Sequence, residues 1–164
     1  MYAFDNIRGD QFILTAEMMD KGIRASRESE RKRIILPIHR SQNAQVQRML
    51  NFLQPGTYIR PHMHPLDHAT ESLVLLRGKI RFYLFSESGN VVSAEVLSAN
   101  SIECMVDIEP RLWHGFLVKE ADTVLFESKC GPYNARADKT FARWAPEEGS
   151  TEAVSWMEKL ENNE

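Results

Sequence analysis

The sequence predicts an all-β fold, a jelly-roll barrel or sandwich with a peripheral helix ahead of it and a short helix behind. Three observations carry that expectation. Between Arg33 and Lys129 apolar residues recur in short runs separated by turn residues at regular intervals. Amphipathic helical stretches precede and follow these runs. At 164 residues the chain is long enough for one domain that buries a core without staples.

Phe12, Ile13, Ala16, Met19 and Ile23 recur at helical spacing, so a helix is expected from about Gln11 to Glu28. Its continuation to Arg33 mixes charges of both signs and reads as a solvated helix end or linker. Residues 1–32 therefore form an N-terminal helical appendage. A first strand follows at Arg33-Ile34-Ile35-Leu36, closed by Pro37. Residues 45–54 fit either spacing, because Val46, Met49, Leu50 and Leu53 also match a helix. The turn Pro55-Gly56, with the extended segment needed beyond it, favours a strand.

After Gly78 the alternation of Ile80, Phe82 and Leu84 with Arg81, Tyr83 and Phe85 marks a strand with one buried face. Ser88-Gly89-Asn90 turns the chain into a returning arm, Val91 to Leu97. Further strands are expected at about 102–108, 113–118 and 122–129, which places the barrel in residues 33–133. Residues 134–164 read as a loop and helix packed on it. That helix spans Thr151 to Leu160 behind a Ser150 or Thr151 cap, and Trp156 and Leu160 pin it to the barrel.

Composition narrows the function. A formal net charge of -3 with 26% charged residues lacks the basic excess of a nucleic-acid binder. No run reaches the ~18 apolar residues of a membrane span, and the N-terminus has no signal-peptide layout. Cys104 and Cys130 are too few for a disulfide framework and read as small buried residues in a reducing, cytoplasmic protein.

The chemistry concentrates between Gly56 and Gly78. His62 and His64 are two apart, so an extended strand turns both imidazoles to one face. Glu71 can add an oxygen and His114, from a separate strand, a third nitrogen. Such a set suits one divalent transition metal (Fe, Zn, Mn, Ni or Cu) and leaves its identity open; Ca and Mg prefer oxygen shells. The same parity turns Tyr58 and Arg60 inward unless Pro61 disrupts the pleat. Arg60 would then grip an anionic ligand or pair with Glu71 or Glu103. His39 is a further candidate at the pocket mouth, although its place ahead of the barrel favours the surface. No catalytic residue is singled out.

Gly56, His62, His64, Glu71 and Gly78 resemble the first signature motif of the cupins, small jelly-roll barrels that hold a metal inside, and His114 resembles the histidine of the second. Six residues separate His64 from Glu71, a longer spacer than the pattern has. In the second motif Pro110 stands one residue late, the glycine is missing, and Val118 replaces an asparagine. Closer similarity, over about 46–149, is to the WbuC-type cupin-fold metalloproteins. It rests on Gln47-Arg48-Met49-Leu50-Asn51, residues 55–62, Gly131-Pro132-Tyr133, Asp138-Lys139 with Phe141, and Trp144-Ala145-Pro146.

The resemblance implies a bacterial metalloprotein associated with surface-polysaccharide gene clusters. Its expected function is a metalloenzyme of oxygenase or isomerase type acting on a small anionic or sugar-derived metabolite. Two alternatives are a non-catalytic metal-dependent binding or sensing module, and an epimerase-like cupin with a histidine base and tyrosine acid. The expected partner is a small-molecule ligand, with no nucleic acid and no membrane. Open sheet edges allow a homodimer.

Overall fold

A computed structural model describes residues 3–162; residues 1, 2, 163 and 164, at the tips of the two expected appendages, lie outside the described residues. Helix α1 (Ala16–Glu28) leads into β1 (Arg33–Pro37) and β2 (Val46–Leu53), followed by β3 (His62–Met63), β4 (Glu71–Arg77) and β5 (Lys79–Phe85). Then come β6 (Val91–Ser98), β7 (Met105–Ile108), β8 (Trp113–Val118), β9 (Thr123–Cys130), β10 (Thr140–Phe141) and α2 (Glu152–Asn162). The strands form two five-stranded antiparallel sheets, ordered β1-β2-β9-β4-β7 and β10-β3-β8-β5-β6. The expected barrel is thus a jelly roll of two sheets with free edges.

Helix α1 starts later than its apolar spacing suggests because Thr15, in extended backbone, caps it with its hydroxyl facing Met18 N–H. Its buried face, with Ile23, packs against Ile34, Leu50, Phe52 and Val124 on the outside of the first sheet. Phe12 and Leu14 join that cluster from ahead of the helix. Gly22 lies directly on the Phe52 ring, where no side chain would fit. Helix α2 closes the outside of the second sheet: Leu160 packs with Tyr83, Phe85 and Leu117, and Trp156 and Trp144 flank them.

Between the sheets one end is apolar, built on Leu53, Leu73, Leu75, Ile80, Phe82, Leu97, Ile108, Val118 and Leu125. The other end is polar. Residues 46–53 are strand, as the turn after them required, and β8 has the expected bounds. Three local expectations change. The strand expected near Ile102 begins at Met105, and Ile102 is 90% exposed. The tail contributes an edge strand, β10, that no periodicity announces, since two residues carry none. Cys130 is exposed and Cys104 half-buried; both are free thiols. No helix among the described residues is long and apolar enough to cross a membrane.

Candidate metal centre

His62 on β3 and His114 on β8 face each other directly across the ladder, and His64 follows two residues on. Glu71 opens β4 in the opposite sheet and reaches across the interior. The four side chains are buried, and one donor atom from each lies within 4.8 Å of all the others. The two half-sites are tied by the Arg111 N–H, which donates to the His64 carbonyl at 2.9 Å. Arg111 itself has φ 65°, the left-handed conformation that a glycine would supply in this turn.

Each imidazole is oriented by its backbone. Nδ1 of His62 lies 3.0 Å from the Arg60 carbonyl, that of His64 2.5 Å from the Asp138 carbonyl, and that of His114 2.9 Å from the Leu112 carbonyl. A carbonyl only accepts, so each Nδ1 carries the hydrogen and each Nε2 turns a lone pair to the centre. There, Nε2 of His64 and of His114 stand 3.2 and 3.1 Å from the same Glu71 Oε2. The His114 Nε2 is buried and makes no other hydrogen bond among the described residues.

Lone pairs facing a carboxylate at this range repel unless a cation lies among them, either a proton on His64, which lies within hydrogen-bond distance of Glu71, or a metal ion. Two donors about 2.1 Å from one ion stand roughly 3.0–3.4 Å apart, which these separations match. The buried cluster of three nitrogens and one carboxylate fits a transition metal. Burial, then the charges of Lys139 and His114, push the His62 pKa well down. Burial would raise the Glu71 carboxyl, but the adjoining His114 and His64 outweigh it and hold the pKa well below the usual range. Burial opposes a charge on His64, yet Glu71 leaves its pKa raised.

Three of the four, His62, Glu71 and His114, line a cavity of about 370 Å³ between the sheets. The first sheet presents its inward residues in rows: Gln47, Lys129 and Glu71 are neighbours across β2, β9 and β4, and Met49, Glu127 and Leu73 form the next row. Asn51 donates to Glu127 Oε2 at 2.9 Å. Burial and the nearby Glu71 charge push the Glu127 carboxyl up to about 7, against the pull of Lys129. Lys129 in turn holds Asp138, Nζ to Oδ1, at 2.6 Å. The sequence reading missed Glu127, Lys129 and Asp138 as site residues. The signal was present in β9, where Glu127 and Lys129 share the inward face of Leu125 at a spacing of two.

The structure brings His62, His64, Glu71 and His114 together, and places His39 in the same cavity wall at 2% exposure, away from the surface. Tyr58 and Arg60 are elsewhere. The Tyr58 hydroxyl donates to the Pro146 carbonyl at 2.9 Å and its ring meets Trp156 edge-on. Arg60 donates to the Ala142 carbonyl at 2.9 Å and lies 3.7 Å from Glu147. Ile59 lines the cavity instead. Residues 57–61 are not strand, so the alternation carried back from His62 slips by one before Pro61.

Among solved structures, the chain is similar to an uncharacterized conserved protein with a double-stranded β-helix domain from Klebsiella pneumoniae. The TM-score is 0.56 at 18% identity, over 82% of this chain and 99% of that one. It is also similar to oxalate oxidase in complex with the substrate analogue glycolate, at TM-score 0.53 and 16% identity, over 69% of this chain. A third likeness is to the capsular polysaccharide assembling protein CapF from Staphylococcus aureus, at TM-score 0.54 and 16% identity, over 65% of this chain. This chain spans 56% of the oxalate oxidase chain and 29% of CapF. These likenesses show the fold alone, a double-stranded β-helix. No curated protein matches the sequence. Residues 14–97, just over half of the chain, match the family described as "Domain of unknown function (DUF6016)", and the chain belongs to that family.

Proposed function

We propose that this protein is a metal-dependent cupin enzyme of oxygenase or isomerase type, with His62, His64, Glu71 and His114 as ligands of one divalent transition metal. The observation that carries it is the orientation of the three imidazoles, each held through Nδ1 by a backbone carbonyl, with Nε2 of His64 and His114 at the Glu71 carboxylate and a His62 donor atom in the same cluster. The metal would supply Lewis-acid or redox chemistry, and four protein ligands leave up to two octahedral positions for substrate. Glu127 lines the same cavity with its carboxyl pushed up to about 7 by burial and the Glu71 charge, and Asn51 donates to it, so it would be the group placed to exchange a proton with a bound substrate.

A small anionic or sugar-derived substrate fits a cavity near the lower end of ligand-pocket sizes, whose wall carries Lys129 and Lys139. The glycolate bound by oxalate oxidase supports an acid, and the capsular polysaccharide role of CapF supports a sugar-derived one. The segments resembling WbuC-type cupins extend the proposal to bacterial surface-polysaccharide metabolism. A cytoplasmic location belongs to it as well.

The test is elemental analysis of the protein from metal-replete growth beside a His62→Ala, His64→Ala double variant. About one transition-metal ion per chain is expected in the wild type and almost none in the variant; equal near-zero content in both would sink the site. Oxygen uptake by Fe(II)-loaded protein, and product analysis of the Zn- and Mn-loaded forms, with hydroxy acids and sugar acids then separate an enzyme from a binding module. Saturable binding without turnover in any form would favour the module.

A further inference from the structure

His39 carries a buried ring nitrogen, Nε2, that has no hydrogen-bond partner among the described residues. Inward residues of the first strand alternate as Arg33, Ile35 and Pro37, and His39 continues that face past the strand end into the cavity wall. The Ile38 and His39 N–H groups both donate to the Arg48 carbonyl, at 2.8 and 3.2 Å, two residues opposite one as in a β-bulge. The Arg48 N–H points at His39 Nδ1 at 3.1 Å. Nδ1 also lies 2.8 Å from the Arg48 carbonyl, but that oxygen already accepts two backbone donors. Nδ1 is therefore the acceptor that satisfies the Arg48 N–H.

The hydrogen of the imidazole then sits on Nε2. His39 is 2% exposed, and Nε2 has no hydrogen-bond partner among the described residues. A buried donor left unmade costs about as much as a lost hydrogen bond, so such an atom in a cavity wall takes its acceptor from solvent or from a ligand that displaces it. His39 follows β1, and Glu71 lies on β4, three strands away in the order β1-β2-β9-β4. Along the sheet that is about 14 Å at the usual strand spacing, a separation that no two-carbon acid bridges. Gln47 and Lys129 occupy the row between them.

We infer that His39 is a specificity-determining residue, its Nε2–H binding the remote oxygen of an extended hydroxy acid of sugar size whose other end engages the metal cluster. The inference rests on the metal-site reading above and adds the length and far-end chemistry of the substrate.

The test uses Zn(II)-loaded full-length protein, with D-gluconate and glycolate as probes in calorimetric titrations. His39→Asn places an amide oxygen near the Nδ1 position, keeping the Arg48 N–H satisfied while removing the cavity donor. His39→Gln does the reverse. The wild type should bind gluconate at least tenfold more tightly than glycolate. Asn should weaken gluconate about tenfold, the worth of one hydrogen bond, with glycolate affinity, zinc content and Tm unchanged. Gln should keep the gluconate preference and lower Tm.

Equal affinity of the wild type for the two acids, or an unchanged preference in the Asn variant, overturns the inference. The tautomer is read separately by 15N–1H NMR on chelated protein. Hydrogen on Nε2 is expected, and hydrogen on Nδ1 overturns the inference whatever the metal does. Failure of the wild type to retain zinc or any other metal would overturn the metal reading, which the NMR result does not depend on.

Discussion

Lys129 Nζ lies 2.6 Å from Asp138 Oδ1, and the backbone carbonyl of that aspartate receives the Nδ1 hydrogen of His64. Lys129 also stands directly opposite Glu71 in the ladder between β9 and β4. One cation thus steadies a carbonyl that orients a nitrogen donor and neighbours the oxygen donor. Burial alone would lower the Lys129 pKa, yet Glu127 and Asp138 hold it raised, so the ammonium form persists.

Lys129→Met should therefore weaken metal binding without touching a ligand. Groups that orient ligands are worth about 10–100-fold in metal affinity. The measurement is zinc competition against a chromophoric chelator, with circular dichroism to confirm folding. Wild-type affinity in a folded Lys129→Met variant would show that Asp138 holds His64 without help.

Gly78, which closes the first motif, joins β4 of one sheet to β5 of the other with φ 78°. A Cβ here would meet the Thr123 side chain and stand 2.8 Å from Thr123 Cα. Thr123 cannot give way: it is fully buried, and its hydroxyl accepts from Lys79 N–H and donates to the Glu120 carbonyl. Left-handed strain and overpacking together should make Gly78→Ala destabilising by about 3 kcal/mol. The expected drop in Tm is roughly 10 °C, measured by thermal denaturation. A change within two degrees would mean that the corner opens at little cost.

What was legible in the sequence follows from the range of the interactions. The hairpin β5–β6 and the His62–His64 pair are local, fixed by alternation and a turn, and both could be read. His114 could be placed because its strand is flanked by turns. The Tyr58 and Arg60 parity was not legible, since Pro61 and the docking of residues 142–147 decide it and those groups come together only in the fold. His39 is buried by the Arg48 contact, which periodicity cannot show. The irregular approach to His114 was visible as a missing glycine; its solution, Arg111 in left-handed backbone bonded to His64, was not.

Asp122 gives the clearest pH dependence outside the metal cluster. It accepts from Arg27 Nε at 2.9 Å and pairs with Arg27 Nη2, while Gln54 Nε2 donates to it at 2.9 Å and also reaches Ser26. The carboxylate thus fastens α1 to the turn after β2 and to the start of β9. The Arg27 hydrogen bond lowers its pKa; burial opposes and the Gln54 hydrogen bond assists. Because the folded pKa is depressed, the stability it contributes is present above the unfolded value, near ~3.9. It is lost as pH falls through the folded value. Arg27 is 58% exposed, so solvent screening keeps the contribution small. Asp122→Asn is the suitable variant, since Asn tolerates the φ of 60° at this position. At pH 7 it should melt a few degrees below wild type. The gap should hold down to about pH 4 and close at lower pH, when the wild-type carboxylate is also uncharged. A gap constant from pH 7 to pH 3 would assign the contribution to packing, with no share for the charge.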